Sequence, residues 1–424
     1  MARTLDVYLR RDLIGKLTQD DHGEMTFAYA QAWLDNPAAI ALSRSLPLRT
    51  ELFSHKECRG FFAGILPEES KRELVARNLG ISARNDFAML EQIGGECAGA
   101  VTFMAAGTPL PHAEDRYRAL SESELAAVLK ELPRRPLLAG DKDIRLSLAG
   151  AQDKIAVHVA EGKIFLPLGG APSSHILKPA NPHFPGLVFN EAYCMELAAV
   201  VGLPVAKVAT GAAGETEYLL VERYDRRDGM RMMSGAAWPH TERLHQEDFC
   251  QALGIPPELK YQNEGGPSLK QCFELVRDAS DAPVIDLQHL LDAVIFNFLI
   301  GNHDAHGKNF SLLYSGETIL GRAIHLAPFY DILSTVFYPD LTKKMAMKIG
   351  GEYESAKIAP RHFERFADEA GLAKPIVKKR VTELAQAIMS GLDKAKTAHQ
   401  SIVTLPKLIH DRCQQTLDEF RRAD

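Results

Sequence analysis

The sequence predicts an α+β protein in which a small module, a β-rich part and a helical part follow one another along the chain. Alternating apolar and polar residues over positions 5–28 predict short strands in the opening module. Strand patterns recur in the middle of the chain with one helix across them, whereas helical periodicity dominates from residue 244 onward. Ligands commonly bind between two such parts, so we expect a cleft there. The expected domains are residues 1–107, 108–243 and 244–424.

The individual elements follow from hydrophobic period and from start and stop signals. Residues 67–79 show a helical pattern that Gly80 ends, and Ser121 with Glu124 forms a capping box that starts a second helix. Further strands are predicted at residues 155–159, 164–166, 175–178, 218–223 and 310–314. Further helices are predicted at residues 190–201, 246–253, 269–279, 287–300, 360–370, 375–392 and 406–420.

The composition is that of an ordinary folded protein, because 46% of the 424 residues are apolar and 25% are charged. With 49 Lys and Arg against 55 Asp and Glu, the net charge is −6, which argues against a chain that coats nucleic acid by itself. Six scattered cysteines without a Cys-x-x-Cys pair exclude a readable zinc ribbon or disulfide framework. The N-terminus lacks the apolar stretch of a secretion signal, and the apolar run at residues 287–300 is too short for a membrane span. We therefore expect a cytoplasmic protein.

The most informative stretch is GNHDAHGKNF at residues 301–310. Asp304 and Asn309 have the Asp-x-x-x-x-Asn spacing with which a kinase catalytic loop places a base near the acceptor hydroxyl and an amide oxygen on Mg²⁺. An apolar helix precedes this stretch and an apolar strand follows it, which indicates a polar loop at the edge of a core. Asp331, within PFYDI at residues 328–332, is expected to be a second Mg²⁺-holding carboxylate, although a helix cap would also explain it.

A lysine at the end of a predicted strand is a candidate phosphate contact. Lys178 ends the strand at residues 175–178, and in kinases such a lysine is steadied by a glutamate of a helix. Glu191 or Glu196 of the following helix could pair with it; we favour Glu191, and the choice stays open. An exposed lysine at a strand end is the simpler alternative.

Two further segments suit nucleotide binding. The sequence SLAGAQDK at residues 147–154 has a glycine that would let backbone amides approach phosphate oxygens, although a hairpin turn explains it equally well. The sequence VERYD at residues 221–225 is a strand whose backbone could face an adenine edge. By itself it predicts only a strand.

A rival interpretation makes the same region a hydrolytic metal centre. The density of histidine and carboxylate side chains supports it. It leaves Lys178 and Asn309 without a role. Its ligands would be His303, Asp304, His306 and Asp331, with His325 nearby.

Taken together, these segments resemble the HipA family of bacterial serine/threonine toxin kinases. Their order and coverage, from the opening module to beyond Asp331, make chance agreement implausible, whereas the C-terminal residues match only as generic helices. The matching segments are LPEE at 66–69, SLAGAQDK at 147–154, HILKP at 175–179, NEAYC at 190–194, VERYD at 221–225, QEDFCQ at 246–251, KYQ at 260–262, GNHDAHGKNF at 301–310 and PFYDI at 328–332.

The resemblance implies a protein-kinase-like two-lobed fold with a small N-terminal α/β subdomain, a β-rich N-lobe and an all-helical C-lobe. Asp304 would be the catalytic base, and Asn309 and Asp331 would hold Mg²⁺. Ser147 would be a regulatory autophosphorylation site, because a phosphate there would be repelled by the phosphates of ATP and would displace its loop. Residues 179–189 would correspond to the mobile activation segment. The expected contacts with ATP and Mg²⁺ are Ala149, Gly150, Ala151, Gln152, Lys154, Lys178, Glu222, Tyr224, His306, Lys308, Asn309 and Asp331, and Glu191 would pair with the lysine.

The same resemblance implies a Mg²⁺- and ATP-dependent serine/threonine protein kinase that arrests growth, and so favours persistence, by disabling translation. Its partners would be a HipB-like helix-turn-helix antitoxin, operator DNA bound through the antitoxin complex, and a protein substrate, which we expect to be glutamyl-tRNA synthetase; some relatives target tryptophanyl-tRNA synthetase instead. Two alternatives stay open. One is a catalytically silent DNA corepressor that binds the antitoxin, and the other is a metal-dependent hydrolase with zinc or manganese.

Overall fold

The computed structural model describes residues 2–110, 116–141, 143–233, 236–315 and 323–423, with side chains described outside residues 230–240. The chain divides into two compact units. The first unit comprises Met1–Pro179, Gly211–Glu258 and Leu313–Arg322. The second unit comprises Ala180–Thr210, Leu259–Leu312 and Ala323–Asp424. The domain boundaries predicted from the sequence stay predictions.

The described residues contain runs of strands and runs of helices, as expected of an α+β protein. The helices are α1 (Gln31–Leu34), α2 (His55–Gly64), α3 (Glu69–Leu79), α4 (Asp86–Ile93), α5 (Glu122–Glu131), α6 (Leu187–Val200), α7 (Phe249–Ala252), α8 (Leu269–Ala279), α9 (Pro283–Ile300), α10 (Pro360–Ala370), α11 (Lys374–Gly391) and α12 (Leu405–Arg422). The strands are β1 (Arg3–Leu9), β2 (Asp12–Gln19), β3 (Met25–Tyr29), β4 (Val101–Ala105), β5 (Arg116–Ala119), β6 (Ile155–Ala160), β7 (Lys163–Leu168), β8 (His175–Pro179), β9 (Val208–Ala213), β10 (Thr216–Glu222), β11 (Arg226–Met233), β12 (Ala236–Arg243), β13 (His245–Asp248), β14 (Ser311–Tyr314), β15 (Ile324–Leu326), β16 (Lys344–Ile349) and β17 (Glu352–Glu354).

The first unit opens with a four-stranded antiparallel sheet in the order β3-β2-β1-β4. The predicted alternation is present, because Leu5 and Val7 of β1 and Leu17 of β2 are buried. Phe27 of β3 packs against Phe62 of α2, with ring centroids 5.3 Å apart. The short strands predicted over residues 5–28 are therefore confirmed.

A second sheet of the first unit positions the predicted lysine. Its order is β5-β7-β6-β8-β10-β9. Strand β8 pairs antiparallel with β10, so that Lys178 lies opposite Leu219 and His175 lies opposite Glu222. The predicted strands and the predicted capping box of Ser121 and Glu124 at the start of α5 are confirmed.

Aromatic side chains fill the core of the second unit. Phe273 of α8 contacts Phe366 of α10, and Phe363 of α10 contacts Phe420 of α12. Helices α8 and α10 have the bounds that their hydrophobic period predicts. Among the described residues, α9 is the one helix long and apolar enough to cross a membrane, and 67% of it is buried inside the protein, which is typical of a core helix.

Two expectations about the C-terminal part need correction. The predicted helix at residues 246–253 begins only after Asp248, because Asp248 and Gln251 form a capping box and the residues before them form β13. The part predicted to be all-helical also contains strands, of which β16 and β17 pair antiparallel.

Candidate active site

The loop that carries Asp304 begins where α9 ends. Gly301 ends this helix with a φ of 75°, a left-handed conformation that favours glycine. A Cβ atom at this position would also collide with the side chain of Val336. The chain therefore leaves the apolar helix in a fixed direction, and the polar residues of the loop follow at once.

Hydrogen bonds within the second unit fix the residues around Asp304. The Asn302 side chain donates to Asn297 Oδ1 at 2.9 Å, and its own Oδ1 accepts from the backbone N–H of Asp304 at 3.1 Å. The backbone N–H of His303 donates to Thr335 Oγ1 at 2.8 Å. These bonds place the backbone of Asp304 while its side chain stays exposed.

Two aromatic residues lie beside the exposed carboxylate. The hydroxyl of Tyr261 donates to Asp304 Oδ1 at 2.7 Å. The ring of His306 stands edge-on to the ring of Tyr261, with centroids 5.2 Å apart. The motif KYQ at residues 260–262 was recognised in the sequence, but nothing there indicated that Tyr261 contacts the predicted base.

Asn309 and Asp331, the two residues expected to hold Mg²⁺, lie side by side. Asn309 lies at the end of a short 3-10 helix, Gly307–Asn309, and its Nδ2 donates to Asp331 Oδ2 at 3.2 Å. The amide oxygen of Asn309 is buried and has no hydrogen-bond partner among the described residues. A buried acceptor without a partner is costly unless a ligand completes it. Amide and carboxylate oxygens are ligands that Mg²⁺ prefers, so the pair fits a magnesium ion.

Asp331 has a backbone conformation that is rare for its residue type. Its φ of 59° lies in the left-handed region, where residues other than glycine are uncommon and concentrate at functional sites. The preceding Tyr330 holds this segment to the loop, because its hydroxyl lies 2.7 Å from both Ser311 Oγ and the backbone oxygen of Lys308. The strained backbone thus belongs to Asp331, the carboxylate that we expect to hold Mg²⁺.

The first unit contains the predicted site residues that precede residue 179 and those at positions 222 and 224. Lys178 of β8 is buried, with 6% of its surface exposed. Glu222 ends the neighbouring strand β10, and Tyr224 follows it. The hydroxyl of Tyr224 donates to Gln246 Oε1. Lys178 belongs to the first unit and Asp331 to the second, and the meeting of the two stays a prediction.

The segment at residues 147–154 is an irregular loop held by the N-terminal module. Ser147 is fully buried, and its hydroxyl donates to the backbone oxygen of Ile65 at 3.0 Å. Gly150 has a φ of 103°, and its backbone oxygen accepts from the N–H of Glu68 at 3.3 Å. The ammonium group of Lys154 donates to the backbone oxygen of Ala149 at 2.9 Å, which closes the loop on itself. Ala151 and Gln152, which follow Gly150 in this loop, are partly exposed.

The two glutamates considered as partners of Lys178 have different surroundings. Glu196 Oε2 accepts from the backbone N–H groups of Lys396 and Thr397 at 2.7 and 2.8 Å. Glu191 is almost fully buried on α6, with 2% of its surface exposed. The hydrogen bonds of Glu196 to another segment favour Glu191, and the pairing itself stays a prediction.

The ligand set of the rival metal centre is not assembled. His303 Nδ1 lies 3.0 Å from the backbone oxygen of Thr342, and burial lowers the pKa of its ring. His325 lies 3.7 Å from Asp286 instead. Over the part of the chain that the structure describes, no three His, Cys, Asp or Glu side chains are grouped to hold a metal ion.

Comparison with protein families agrees with this arrangement of fold and site residues. The description "HipA N-terminal domain" matches residues 5–104, and "HipA-like C-terminal domain" matches residues 146–392. The chain therefore belongs to the HipA family, and the resemblance inferred from the motifs is confirmed.

Several relatives are similar over nearly the whole chain. Y4mE of Sinorhizobium fredii, a protein named provisionally as a kinase, is 48% identical over 91% of this chain and 90% of its own length. The serine/threonine-protein kinase toxin HipA of Shewanella oneidensis is 30% identical over 96% of this chain and 91% of its own length. The solved structure of Shewanella oneidensis HipA with HipB and operator DNA matches with a TM-score of 0.83 and 28% identity, covering 99% of this chain and 98% of that chain. The predicted α+β, kinase-like fold class is thereby confirmed.

Proposed function

We propose that this protein is a Mg²⁺- and ATP-dependent serine/threonine protein kinase that acts as a growth-arresting toxin. The proposal is carried by the buried amide oxygen of Asn309, which has no hydrogen-bond partner among the described residues. Asn309 lies beside Asp331 and in the same loop as the exposed carboxylate of Asp304. A kinase active site needs these three groups, two of them on the metal and one at the acceptor. Membership of the HipA family supports the same reaction.

Each residue of the site has a separate task in this reaction. Asp304 would accept the proton of the substrate hydroxyl, whose oxygen forms a bond to the γ-phosphorus of ATP while the bond to the ADP oxygen breaks. Asn309 and Asp331 would hold Mg²⁺, which neutralises phosphate charge when it is bound. Lys178, steadied by Glu191, and the loop at residues 147–154 would contact the phosphates, and the backbone at Glu222 and Tyr224 would hold adenine.

Ser147 would regulate the kinase through its own phosphorylation. Its hydroxyl is fully buried against Ile65, so a phosphate cannot be accommodated unless the loop at residues 147–154 leaves its place. A dianion beside the phosphates of ATP would also be repelled. Peptide mass spectrometry of the chain after incubation with Mg²⁺ and ATP tests this part, and the absence of phosphate on Ser147 would remove it.

The partners proposed for the chain are a HipB-like helix-turn-helix antitoxin and, through it, operator DNA. The Shewanella oneidensis relative has been solved with HipB and its operator, which supports both. The proposed substrate is an aminoacyl-tRNA synthetase, with glutamyl-tRNA synthetase as the first candidate, and its phosphorylation would stop translation. The proposed location is the cytoplasm, where the six buried free thiols of this chain would stay reduced.

The substitution Asp304→Gln tests the kinase assignment. We expect autophosphorylation to fall by about a hundred- to ten-thousandfold, because a general base contributes that much, and we expect toxicity on induced expression to disappear. Folding should be unchanged since the side chain is exposed. Asp340→Asn, a change at an exposed acid of the same unit, is the matched control and should keep full activity.

Calorimetry with Mg²⁺ and ATP separates the alternatives. A chain that binds the antitoxin but neither binds nor consumes ATP would be a silent corepressor. A chain that holds zinc or manganese and cleaves phosphate esters without nucleotide would be a hydrolase. A fully active and fully toxic Asp304→Gln variant would contradict the assignment of the base.

A further inference from the structure

A cluster of charged side chains lies buried in the first unit beside the proposed adenine-binding segment. Glu96 is 0% exposed, Arg223 is 4% exposed and Asp225 is 3% exposed. The side chains of Arg226 and Arg243 complete the cluster and are 2% and 10% exposed. The proposed function gives none of these five side chains a role.

The carboxylate of Glu96 is the common acceptor of this cluster. Its Oε1 accepts from the backbone N–H of Ser173 at 3.0 Å and from the Ser173 hydroxyl at 2.9 Å. The same oxygen accepts from Arg223 Nη1 at 3.2 Å and from Arg226 Nη2 at 2.7 Å, while Oε2 lies 3.4 Å from Arg243 Nε. Burial alone would raise the pKa of Glu96, but the guanidinium groups of Arg226, Arg243 and Arg223 together lower it, so the group is a carboxylate.

The backbone next to Glu96 makes further contacts with residues 223–226. The backbone oxygen of Cys97 accepts from Arg223 Nη2 and from Arg226 Nη2, each at 3.0 Å. The N–H of Gly99 donates to Asp225 Oδ2 at 2.6 Å, and its oxygen accepts from Arg226 Nη1 at 3.1 Å. Residues 96–99 therefore hold the charged side chains on both sides of Tyr224 through buried hydrogen bonds.

Glu96 also contacts the other two segments proposed to bind ATP. Its backbone oxygen accepts from the N–H of Ser147 at 2.9 Å. Ser173, which donates to its carboxylate, lies just before β8, the strand that carries Lys178. The backbone N–H of Arg223 donates to the oxygen of Ser174 at 2.9 Å, so the adenine-binding segment and the start of β8 meet at the Glu96 carboxylate.

We propose that Glu96 is a positioning residue for the nucleotide, whose carboxylate fixes the backbone of residues 222–226 against the start of β8. Glu96 lies in the part matched as the HipA N-terminal domain, whereas the segments it holds lie in the part matched as the C-terminal domain. The N-terminal domain thus completes the nucleotide site of its neighbour. This inference rests on the proposed ATP-binding function. Charge-assisted hydrogen bonds in a buried site fix geometry, and a backbone held in its binding conformation needs no ordering when adenine arrives.

The substitution Glu96→Gln in the full chain tests this role with two probes, Mg-ATP and adenosine. Adenosine contacts the adenine-binding segment without the phosphate loop, so a defect of that segment weakens both probes by the same factor. We expect both Kd values to rise by about tenfold or more, as the loss of charge-assisted hydrogen bonds implies. We expect KM for ATP to rise with them while kcat at saturating ATP stays unchanged.

Two further variants separate positioning from stability. Asp86→Asn removes another buried carboxylate of the same domain, which pairs with Arg59 at 2.9 Å and with Arg72. It should lower the melting temperature and leave both Kd values unchanged. Ser173→Ala removes the hydroxyl bonds to Glu96 and Arg223 without changing charge, and should raise both Kd values by a smaller factor. This variant tests the same role if Glu96→Gln does not fold.

The outcomes distinguish the inference from the function on which it rests. A wild-type chain that binds no Mg-ATP refutes both. A wild-type chain that binds Mg-ATP, with Glu96→Gln or Ser173→Ala binding both probes equally well, refutes only the positioning role. Loss of Mg-ATP affinity with unchanged adenosine affinity also refutes it, because the defect would then lie at the phosphate loop.

Discussion

The buried polar cluster around Glu96 in the first unit and the proposed metal site of Asn309 and Asp331 in the second unit use their hydrogen-bonding groups differently. Oε1 of Glu96 accepts four hydrogen bonds from Ser173, Arg223 and Arg226. Asn309 Oδ1 is buried as well, yet no described residue donates to it. Glu96 Oε2 makes no hydrogen bond within the described chain, but it faces the guanidinium group of Arg243 at 3.4 Å. A buried carboxylate among cationic partners positions the chain, whereas a buried neutral acceptor without a partner suits a ligand that completes it.

The largest effect is expected when a charge is removed from the cluster around Glu96. Arg223 makes a two-pronged pair with Asp225, with Nε at 2.9 Å and Nη2 at 2.7 Å from its oxygens. The substitution Arg223→Met leaves Asp225 and Glu96 buried with fewer cationic partners, which should lower the free energy of unfolding by about 3 to 5 kcal/mol. Urea denaturation of the full chain measures the change in the free energy of unfolding.

A surface ion pair of the same unit is the matched control. Arg116 lies 3.6 Å from Asp143, and their side chains are 57% and 45% exposed. Arg116→Met should change the free energy of unfolding by less than about 1 kcal/mol. Equal losses for the two arginine variants would mean that the Glu96 cluster does not hold the first unit together.

A second buried glutamate of the first unit sharpens the comparison because its partners are neutral. Glu247 accepts from Tyr314 Oη at 2.5 Å, from the backbone N–H of Arg44 at 3.0 Å and from the Ser43 hydroxyl. Burial raises its pKa to about 7, and these hydrogen bonds only partly oppose that rise. Glu96 has guanidinium partners instead, and its pKa is lowered.

The opposite pKa shifts predict opposite pH dependences. The folded state holds a proton on Glu247 that the unfolded state releases near pH 4.5, so its contribution to stability is full below pH 4.5 and is lost as pH rises to about 7. The free energy of unfolding of the wild type, relative to Glu247→Gln, should therefore fall by about 3 kcal/mol between these pH values. Urea denaturation across this range measures the difference.

Glu96→Gln is the contrasting variant in the same experiment. Because the pKa of Glu96 is lowered, its contribution is present above pH 4.5 and is lost as pH falls below that value. A difference between the wild type and Glu247→Gln that does not change with pH would show that folding does not raise the pKa of Glu247, contrary to its buried, neutral surroundings.

The loop proposed to be catalytic was recognised from the sequence because its signals are local. Asp304 and Asn309 lie within one short stretch, and the apolar helix before them has a strong helical period. The helix mispredicted at residues 246–253 also had a local signal, since Asp248 and Gln251 have capping-box spacing and mark a later start.

The Glu96 cluster could not be predicted because its contacts are distant in sequence. Arg223 is 127 residues away from Glu96, and the glycine-rich residues around Glu96 show no period. VERYD was recognised as a motif, but only its backbone was given a role. One available signal was the crowding of Arg223, Asp225 and Arg226 directly after an apolar strand, since three charges there need buried partners.

The smallest change in stability is expected at the open acceptor. Asn309→Ala removes the bond from Nδ2 to Asp331 Oδ2 and also removes an oxygen that has no partner in the described chain, so the ligand-free protein should lose at most about 1 kcal/mol. The increase in melting temperature on adding ATP with Mg²⁺ should disappear, because that oxygen is a proposed ligand of the ion. Asn36→Ala, which loses one bond to the N–H of Ala38, is the matched control and should keep the increase. If Asn309→Ala destabilised the ligand-free chain as strongly as Arg223→Met, Asn309 would be a structural residue like those around Glu96, and the contrast between the two clusters would not hold.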